Sequence, residues 1–370
     1  MFRRISLFAL ALVLALSCTA FAEEEERDIL EVHFLNVGRN DGILIICGGE
    51  VAFIDGGSYS WGTKCAEYIQ SRGVTELKYY IGTHAHTDHV AGAPAIMGKL
   101  KSGAILTNYD LAVSAMRDNA HTKQERDIIN STPYVKVKKG DEFMLGGAVL
   151  TCVGPDKIVR CDKYTEAAEN DNSLIFRLTF FQKSFLFCSD TTNMILKDLV
   201  KQDSELLCCD VLKSPHHNVG LHDTLYSVLK CKYFIFSTSS DYPPKYEQIN
   251  KARRAGARVM ITSYTNAGTI IFKTDGEEMT YETQYKLDSR WKLNISKVTL
   301  KAGKHKNYTK QMHPTRMLET LFYESSDPAV AYPDPASGTV YAVAPGECVI
   351  RATAFDGSYR DIKVTVLPAK

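Results

Sequence analysis

Seven consecutive residues, Thr83-His84-Ala85-His86-Thr87-Asp88-His89, constrain this chain more than any other stretch. They follow an apolar run, Leu77–Ile81, that reads as a buried strand, and they precede Val90-Ala91-Gly92. Three of the chain's ten histidines fall within six positions here, with an aspartate between them. In a loop leaving a strand, the alternate residues His84 and His86 can converge on one cation. Asp88 and His89 then face a second cation a few ångströms away. Imidazole and carboxylate together suit zinc or a similar borderline divalent ion. The competing reading, a polar loop rich in histidine by chance, explains neither the preceding strand nor the placed aspartate.

Two cations in one site need ligands from elsewhere in the chain. Asp190 ends the apolar run Phe185-Leu186-Phe187-Cys188-Ser189 and is the best bridging candidate, although a strand-end aspartate alone is a weak sign. Ser214-Pro215-His216-His217 follows another apolar run, Val211-Leu212. Adjacent side chains on an extended segment point to opposite sides, so one histidine of this pair is expected to ligate. His33, His305 and His313 have no such context and read as surface or structural residues. His121, among Asn, Thr, Lys and Gln, reads as solvated.

Composition sets the frame. The chain has 370 residues, 45% hydrophobic and 24% charged, as in an ordinary globular protein of two domains or one large domain with an appendage. Its formal net charge of +1 supplies no global field for nucleic acid. Arg3 and Arg4, the apolar run Ile5 to Leu16 and Ala20-Phe21-Ala22 form a signal-peptide pattern over 1–22, followed by an acidic linker over 23–29. The run is short for a membrane span, which takes about 20 residues, so a secreted mature protein without a transmembrane anchor is expected. Cys18 is a poor lipidation site, because Ala15-Leu16-Ser17 lacks the usual leucine three positions upstream. The ten cysteines are scattered and read as buried free thiols rather than a disulfide framework.

From residue 30 the pattern predicts strands at Glu31–Val37, Ile43–Cys47, Val51–Ile54 and Leu77–Ile81, with a helix over Thr63–Arg72. Strands follow at Val135–Lys138, Ala148–Val153, Leu174–Phe180 and Phe185–Cys188. Helices at Met194–Lys201, Thr224–Leu229 and Lys245–Ala255 then alternate with strands at Val211–Lys213, Tyr233–Ser237 and Arg258–Ile261. That order fits a layered α/β protein. Lys101 to Asn130 and Val153 to Glu169 carry no signature and are expected to form loops around a pocket. Near Ser289 the character shifts to strand-like alternation with proline and glycine turns, and the remaining roughly 80 residues suffice for a small β-sandwich.

The histidine loop is similar to the HxHxDH signature of the metallo-β-lactamase superfamily, which implies a four-layer αββα sandwich with a binuclear metal site. The chain more closely resembles one branch, the stand-alone relatives of the C-terminal domain of the competence protein ComEC. The resemblance rests on Phe34 to Ile45, Ile54-Asp55-Gly56-Gly57, Asn170 to Leu178, Phe185 to Asp190 and Val211 to His217, in the expected order. Secreted teichoic-acid phosphorylcholine esterases look like a second relative. The tail is similar to a bacterial group 2 immunoglobulin-like domain at Ser325 to Ala331, Ser337 to Val340 and Pro345 to Ala352. The implied organisation is a hydrolase domain over 30–285 and an Ig-like domain over 290–370, with cell-wall association expected through the latter.

The resemblance implies His84 and His86 on the first ion, Asp88 and His89 on the second, Asp190 bridging, and His217 completing the second ion's ligands, with His216 as the alternative. Asp55 matches a residue that orients ligands from beneath the loop, although it also fits a simple turn former. Asn170, Asn172 and Ser173 occupy the region where β-lactamases carry a third histidine, which argues against β-lactam hydrolysis and makes the three, with Asp55 and His216, candidates to support the ligands or contact substrate. The implied activity is hydrolysis by metal-activated hydroxide, with Asp88 and Asp190 as the catalytic carboxylates and two divalent ions, Zn2+ or else Mn2+ or Fe2+, as cofactors. A phosphodiester is the leading substrate class, either extracellular DNA or a phosphocholine ester of wall or lipid. A lactonase or thioesterase and a non-catalytic wall-binding protein are the rival readings. Asn218-Val219-Gly220 and Asp241-Tyr242-Pro243-Pro244 depart from the branch's Gly-Ser and Gly-His-Pro, which leaves the substrate open.

Overall fold

The computed structural model describes residues 28–163, 165–264, 266–286, 291–293, 295–307, 310–311, 321–334 and 338–369. The signal-peptide pattern with Cys18, most of the acidic linker, the boundary near Ser289 and His313 lie outside the described residues.

Two sheets face one another. The first contains β1 (Leu30–Phe34), β2 (Gly42–Cys47), β3 (Glu50–Asp55), β4 (Glu76–Ile81), β5 (Lys101–Thr107) and β6 (Tyr134–Lys136). The second contains β7 (Glu142–Leu145), β8 (Ala148–Gly154), β9 (Ile175–Phe180), β10 (Lys183–Phe187), β11 (Cys208–Lys213), β12 (Lys230–Phe236) and β13 (Arg258–Ile261). The chain then returns to the first sheet through β14 (Ile270–Thr274) and β15 (Met279–Thr283), giving the orders 15-14-1-2-3-4-5-6 and 13-12-11-10-9-8-7.

Side-chain alternation builds the layers. On β3, Ala52 and Ile54 enter the core between the sheets, while Val51 and Phe53 face the helices. Burial on both faces explains why these strands read as continuous apolar runs. Helices α1 (Tyr59–Ser71), α2 (Thr87–Val90), α3 (Ala93–Lys99), α4 (Asp110–Asp118) and α5 (Lys123–Ser131) lie before the second sheet begins. Ile69 of α1, Ile96 of α3 and Met116 of α4 cover the outer face of the first sheet. Helices α6 (Asn193–Gln202), α7 (Asp223–Tyr226) and α8 (Tyr246–Arg254) cover the second through Leu199, Leu225 and Ile249. The result is the four-layer αββα sandwich expected from the sequence.

Glycines set two features that matter for the site. Gly48 and Gly49, at φ +55° and +77°, close the β2–β3 hairpin with the two positive-φ residues a type I′ turn requires. Gly62 of α1 lies so near Gly92 that a Cβ there would fall 2.3 Å from the Gly92 carbonyl oxygen. That contact, with the Gly92 N–H donating to Gly57 at 2.7 Å, pins the start of α3 to the turn after β3.

One sequence expectation fails. Lys101 to Asn130 is not a pocket loop but β5, α4 and most of α5. The signals were short: β5 buries only Ile105 to Thr107 fully, and α5 fully buries only Ile129. A capping box of Thr122 and Glu125 starts α5. Val153 to Glu169 is irregular apart from the end of β8 and the start of a 3-10 turn, Ala167–Asn172. All nine cysteines among the described residues are free, and all but Cys208 are buried.

Described segments of the tail are β strands. Lys297–Lys301, Tyr359–Leu367, Gly346–Thr353 and Phe322–Ser325 pair in that order, and a smaller sheet joins His305–Lys306, Val340–Ala342 and Ala331–Pro333. Val298, Ile350, Ile362 and Val364 fill its interior. Arg258 reaches Glu324 at 3.3 Å, and the buried Trp291 donates to Ser358 at 2.9 Å.

Candidate metal centre

β3, β4 and β5 run parallel, as do β10, β11 and β12. Their carboxyl ends therefore deliver Asp55, the Thr83–His89 loop, Asp190, His216-His217 and Ser237 to one edge of the sandwich. The backbone there is held in unusual conformations. Asp55, Ser189, His216 and His217 all have φ between +46° and +61°, and Phe181 is the only other described non-glycine residue with positive φ. Such conformations cost on the order of 1 kcal/mol or more each and gather where the surroundings impose them. They also correct the expectation for the histidine pair. His216 and His217 are not on an extended segment, so alternation does not send them to opposite sides. His217 is fully buried, and the partly exposed His216 still brings Nε2 within 3.6 Å of Asp190 Oδ2.

Asp88, His89, Asp190 and His217 each present a ligand atom, and these atoms lie within 4.8 Å of one another. His217 Nε2 stands 3.4 Å from Asp190 Oδ2 and 3.5 Å from Asp88 Oδ2, and His89 Nε2 stands 3.3 Å from Asp190 Oδ1. His89 Nε2, His217 Nε2 and Asp190 Oδ1 are buried without a hydrogen-bond partner. Buried polar atoms left unpaired cost roughly 1–3 kcal/mol each, so three aimed at one point fit a cation.

Each of the two histidines is held from behind. His89 Nδ1 donates to Asp55 Oδ2 at 2.8 Å, and Asp55 also accepts from the Thr83 N–H at 2.9 Å. Asp55 thus shapes the turn and orients a ligand at once. His217 Nδ1 donates to the Ser237 carbonyl at 3.2 Å and lies 3.6 Å from Asp41 Oδ1.

Electrostatics follow from this crowding. Burial works against charge on His89, but Asp190 and Asp55 outweigh it and raise its pKa well above the usual histidine range. Burial is likewise overcome at His217, where Asp190, Asp41 and Asp88 push the pKa up to about 8. Asp190 is held well below the ordinary carboxylate range by His217 and His89 despite its burial. Asp55 goes the other way: burial raises it, and His89 offsets only part of that. Asp88, His89, Asp190 and His217 could hold a divalent cation, whose charge would stand in for these protons.

The His84/His86 pair is arranged differently. His84 Nε2 and His86 Nδ1 face each other at 3.0 Å, and His86 Nε2 donates to the Glu166 carbonyl at 3.0 Å. Burial, reinforced by the neighbouring His89, lowers the His84 pKa well below its usual value. His84 packs against the cluster with its ring centroid 4.2 Å from that of His89.

Of the polar trio after the loop, Asn170 and Ser173 are buried with Asn170 Oδ1 and Ser173 Oγ unpaired. Asn172 does not fit a substrate-binding role. Its amide is consumed by the Val159 backbone and Glu169, because it braces the 3-10 turn. His121 is exposed and stacks on Tyr59, while His33 is buried between Tyr68 and Glu31.

Three residues of the site escaped sequence reasoning. Glu169 accepts the Ala85 N–H at 2.7 Å and so grips the histidine loop at its centre, with Tyr109 and Asn172 on its other oxygen. Asp41 and Lys213 form a buried ion pair beside Asp190 and His217. Asp41 and Lys213 sat within recognised motifs, but nothing local distinguished them from surface charges.

Fold and site together define a two-sheet αββα sandwich carrying a candidate His/Asp metal-binding cluster at the carboxyl edge of its strands. No protein-family model matches the chain, and no curated protein does. Solved structures it is similar to include a diphosphatase of the PhnP family, at 16% identity over 67% of this chain and 98% of that one, TM-score 0.40. A subclass B3 metallo-β-lactamase, MEM-A1 from a soil metagenome library, shows 17% identity over 50% and 79%, TM-score 0.34. The HARLDQ-motif metallo-β-lactamase of Cronobacter sakazakii shows 14% identity over 47% and 70%, TM-score 0.32. Identities this low leave the residue roles to the geometry of this chain.

Proposed function

We propose that this chain is a metal-dependent hydrolase that cleaves phosphodiesters. The observation that carries the reading is the buried convergence of His89 Nε2, His217 Nε2 and Asp190 Oδ1, all unpaired, beside the half-exposed Asp88. Asp88, His89, Asp190 and His217 would hold one divalent ion, and His84 and His86 a second with Asp190 between them. Ions bound there supply the positive charge that activates water and neutralises a phosphoryl group under attack. Zinc suits the donor set, with manganese or iron(II) tolerated. Asp88, with 44% of its side chain exposed, is the carboxylate placed to hold a nucleophilic water towards solvent-borne substrate. Asp55 and Ser237 keep the two imidazoles turned with Nε2 inward.

A neutral chain favours a small or wall-borne ester over long duplex DNA, which needs many lysine and arginine contacts. Secretion through the N-terminal signal and wall association through an Ig-like tail complete the proposal. Among the described residues, no helix is long and apolar enough to cross a membrane.

The test is metal analysis with bis-p-nitrophenyl phosphate turnover, beside a chromogenic lactone. About two ions per chain and metal-restored phosphodiester cleavage are expected. Turnover of the lactone alone would move the activity to carbon esters, and metal binding without turnover of either would leave a binding protein.

A further inference from the structure

Lys213 ends β11 with no exposure to solvent. Its Nζ is ion-paired with Asp41, donates to the Ser189 carbonyl at 2.9 Å and stands 4.0 Å from Asp190 Oδ1. A buried ammonium needs a partner, and Asp41, itself 1% exposed, supplies it. The arrangement is odd for a cation site. A fixed positive charge beside a proposed bridging carboxylate competes with any ion that carboxylate is to hold. Asp41 is also not needed to orient His217, whose Nδ1 already donates to the Ser237 carbonyl.

Resting on the metal reading above, we propose that Asp41 and Lys213 are positioning residues that set the cation affinity of the Asp190 half of the centre. Lys213 serves as a resident counter-ion, holding Asp41, Asp190 and the loop of Ser189 together in the metal-free protein. Asp41 draws that ammonium away from Asp190, so that Asp190 Oδ1, unpaired in the fold, stays open to an arriving ion. With the Asp41 charge removed, Asp190 becomes the nearest carboxylate for Lys213, and ammonium and metal contend for the same oxygens.

A double-mutant cycle on the full chain tests this, read by zinc-chloride calorimetry and by thermal melting without metal. D41N is expected to weaken zinc binding about tenfold, in the range found for partners behind metal ligands. K213M is expected to bind zinc at least as tightly as the wild type while melting earlier without metal. D41N/K213M, which removes both charges, is expected to return within about threefold of wild-type affinity, a non-additivity that marks direct coupling. Should K213M fail to fold, the contrast between D41N and the double variant still decides the matter. D41N and the double variant being equally weak would mean that Asp41 acts through His217, and unchanged affinity across the cycle would mean a purely structural pair; either overturns the proposal. Wild-type protein that takes up no zinc would instead remove the metal reading itself.

Discussion

The two halves of the candidate centre differ in how ready they are. Around Asp190, the atoms His89 Nε2 and His217 Nε2 are buried, unpaired and held from behind by Asp55 and the Ser237 carbonyl. Around His84, the ring nitrogens are occupied by each other and by the Glu166 carbonyl. An ion joining the first half displaces protons from histidine–carboxylate pairs at 3.3–3.5 Å, but breaks no hydrogen bond at the inward-facing atoms. An ion joining the second must displace existing hydrogen bonds, each worth about 1 kcal/mol net. Preorganisation, rather than the number of histidines, therefore ranks the halves, and the half whose two histidines both come from the local loop is the less prepared one.

Removing the shared carboxylate should have the largest effect. Asp190→Ala is expected to abolish metal uptake in both halves and to lower phosphodiester turnover at least about a thousandfold, as loss of charge stabilisation at a reacting centre does. Retention of one ion by this variant would break the bridging role. A smaller contrast comes from single histidines. His217→Ala should weaken the first zinc equivalent by on the order of 100-fold or more, beyond what partners behind ligands cost, while His86→Ala should spare it. Equal losses in a zinc titration would erase the difference between the halves.

Glu169→Gln sharpens the comparison from the other side. It weakens the grip on the Ala85 N–H, so the second zinc equivalent should bind about tenfold more weakly while the first is unaffected. Both equivalents falling together would mean that Glu169 supports the whole edge.

A separate contrast concerns His33, which shows what burial does to an imidazole without a cluster of carboxylates. Burial lowers its pKa to about 4, with Glu31 offsetting only part of that, whereas His217 rises to about 8. The folded state thus binds fewer protons at His33 than the unfolded chain, whose pKa is near 6.5. Stability from this residue is fully present above pH 6.5 and is lost as pH falls from there towards 4, by on the order of 3 kcal/mol. His33→Gln should flatten that part of a urea-denaturation pH profile, and an unchanged slope would reassign it to other groups.

Much of this was legible along the chain. The runs at Ile43–Cys47, Val51–Ile54 and Arg258–Ile261 announced strands because both sheet faces are buried and apolar identity persists without alternation. The Thr83–His89 loop and Asp190 could be singled out because ligand types crowd at strand ends. Helices α4 and α5 were missed although both are amphipathic: each spans only nine residues, and α5 fully buries Ile129 alone. Asn172 drew attention as a possible contact to substrate and proved to be a brace, a distinction that depends on Val159 and Glu169 lying opposite its amide.

By itself the sequence determined which donor types are present, their spacing within one loop, and the strands that carry them, since these follow from local pattern and residue chemistry. Only the tertiary structure decided that His217 turns inward through a left-handed backbone, that Asp55 stands behind His89, and that Lys213 lies buried against Asp41. Those relations join residues from 34 to more than 170 positions apart, and their strength depends on burial. A charge pattern along the chain carries no information about which of its members will lose their water.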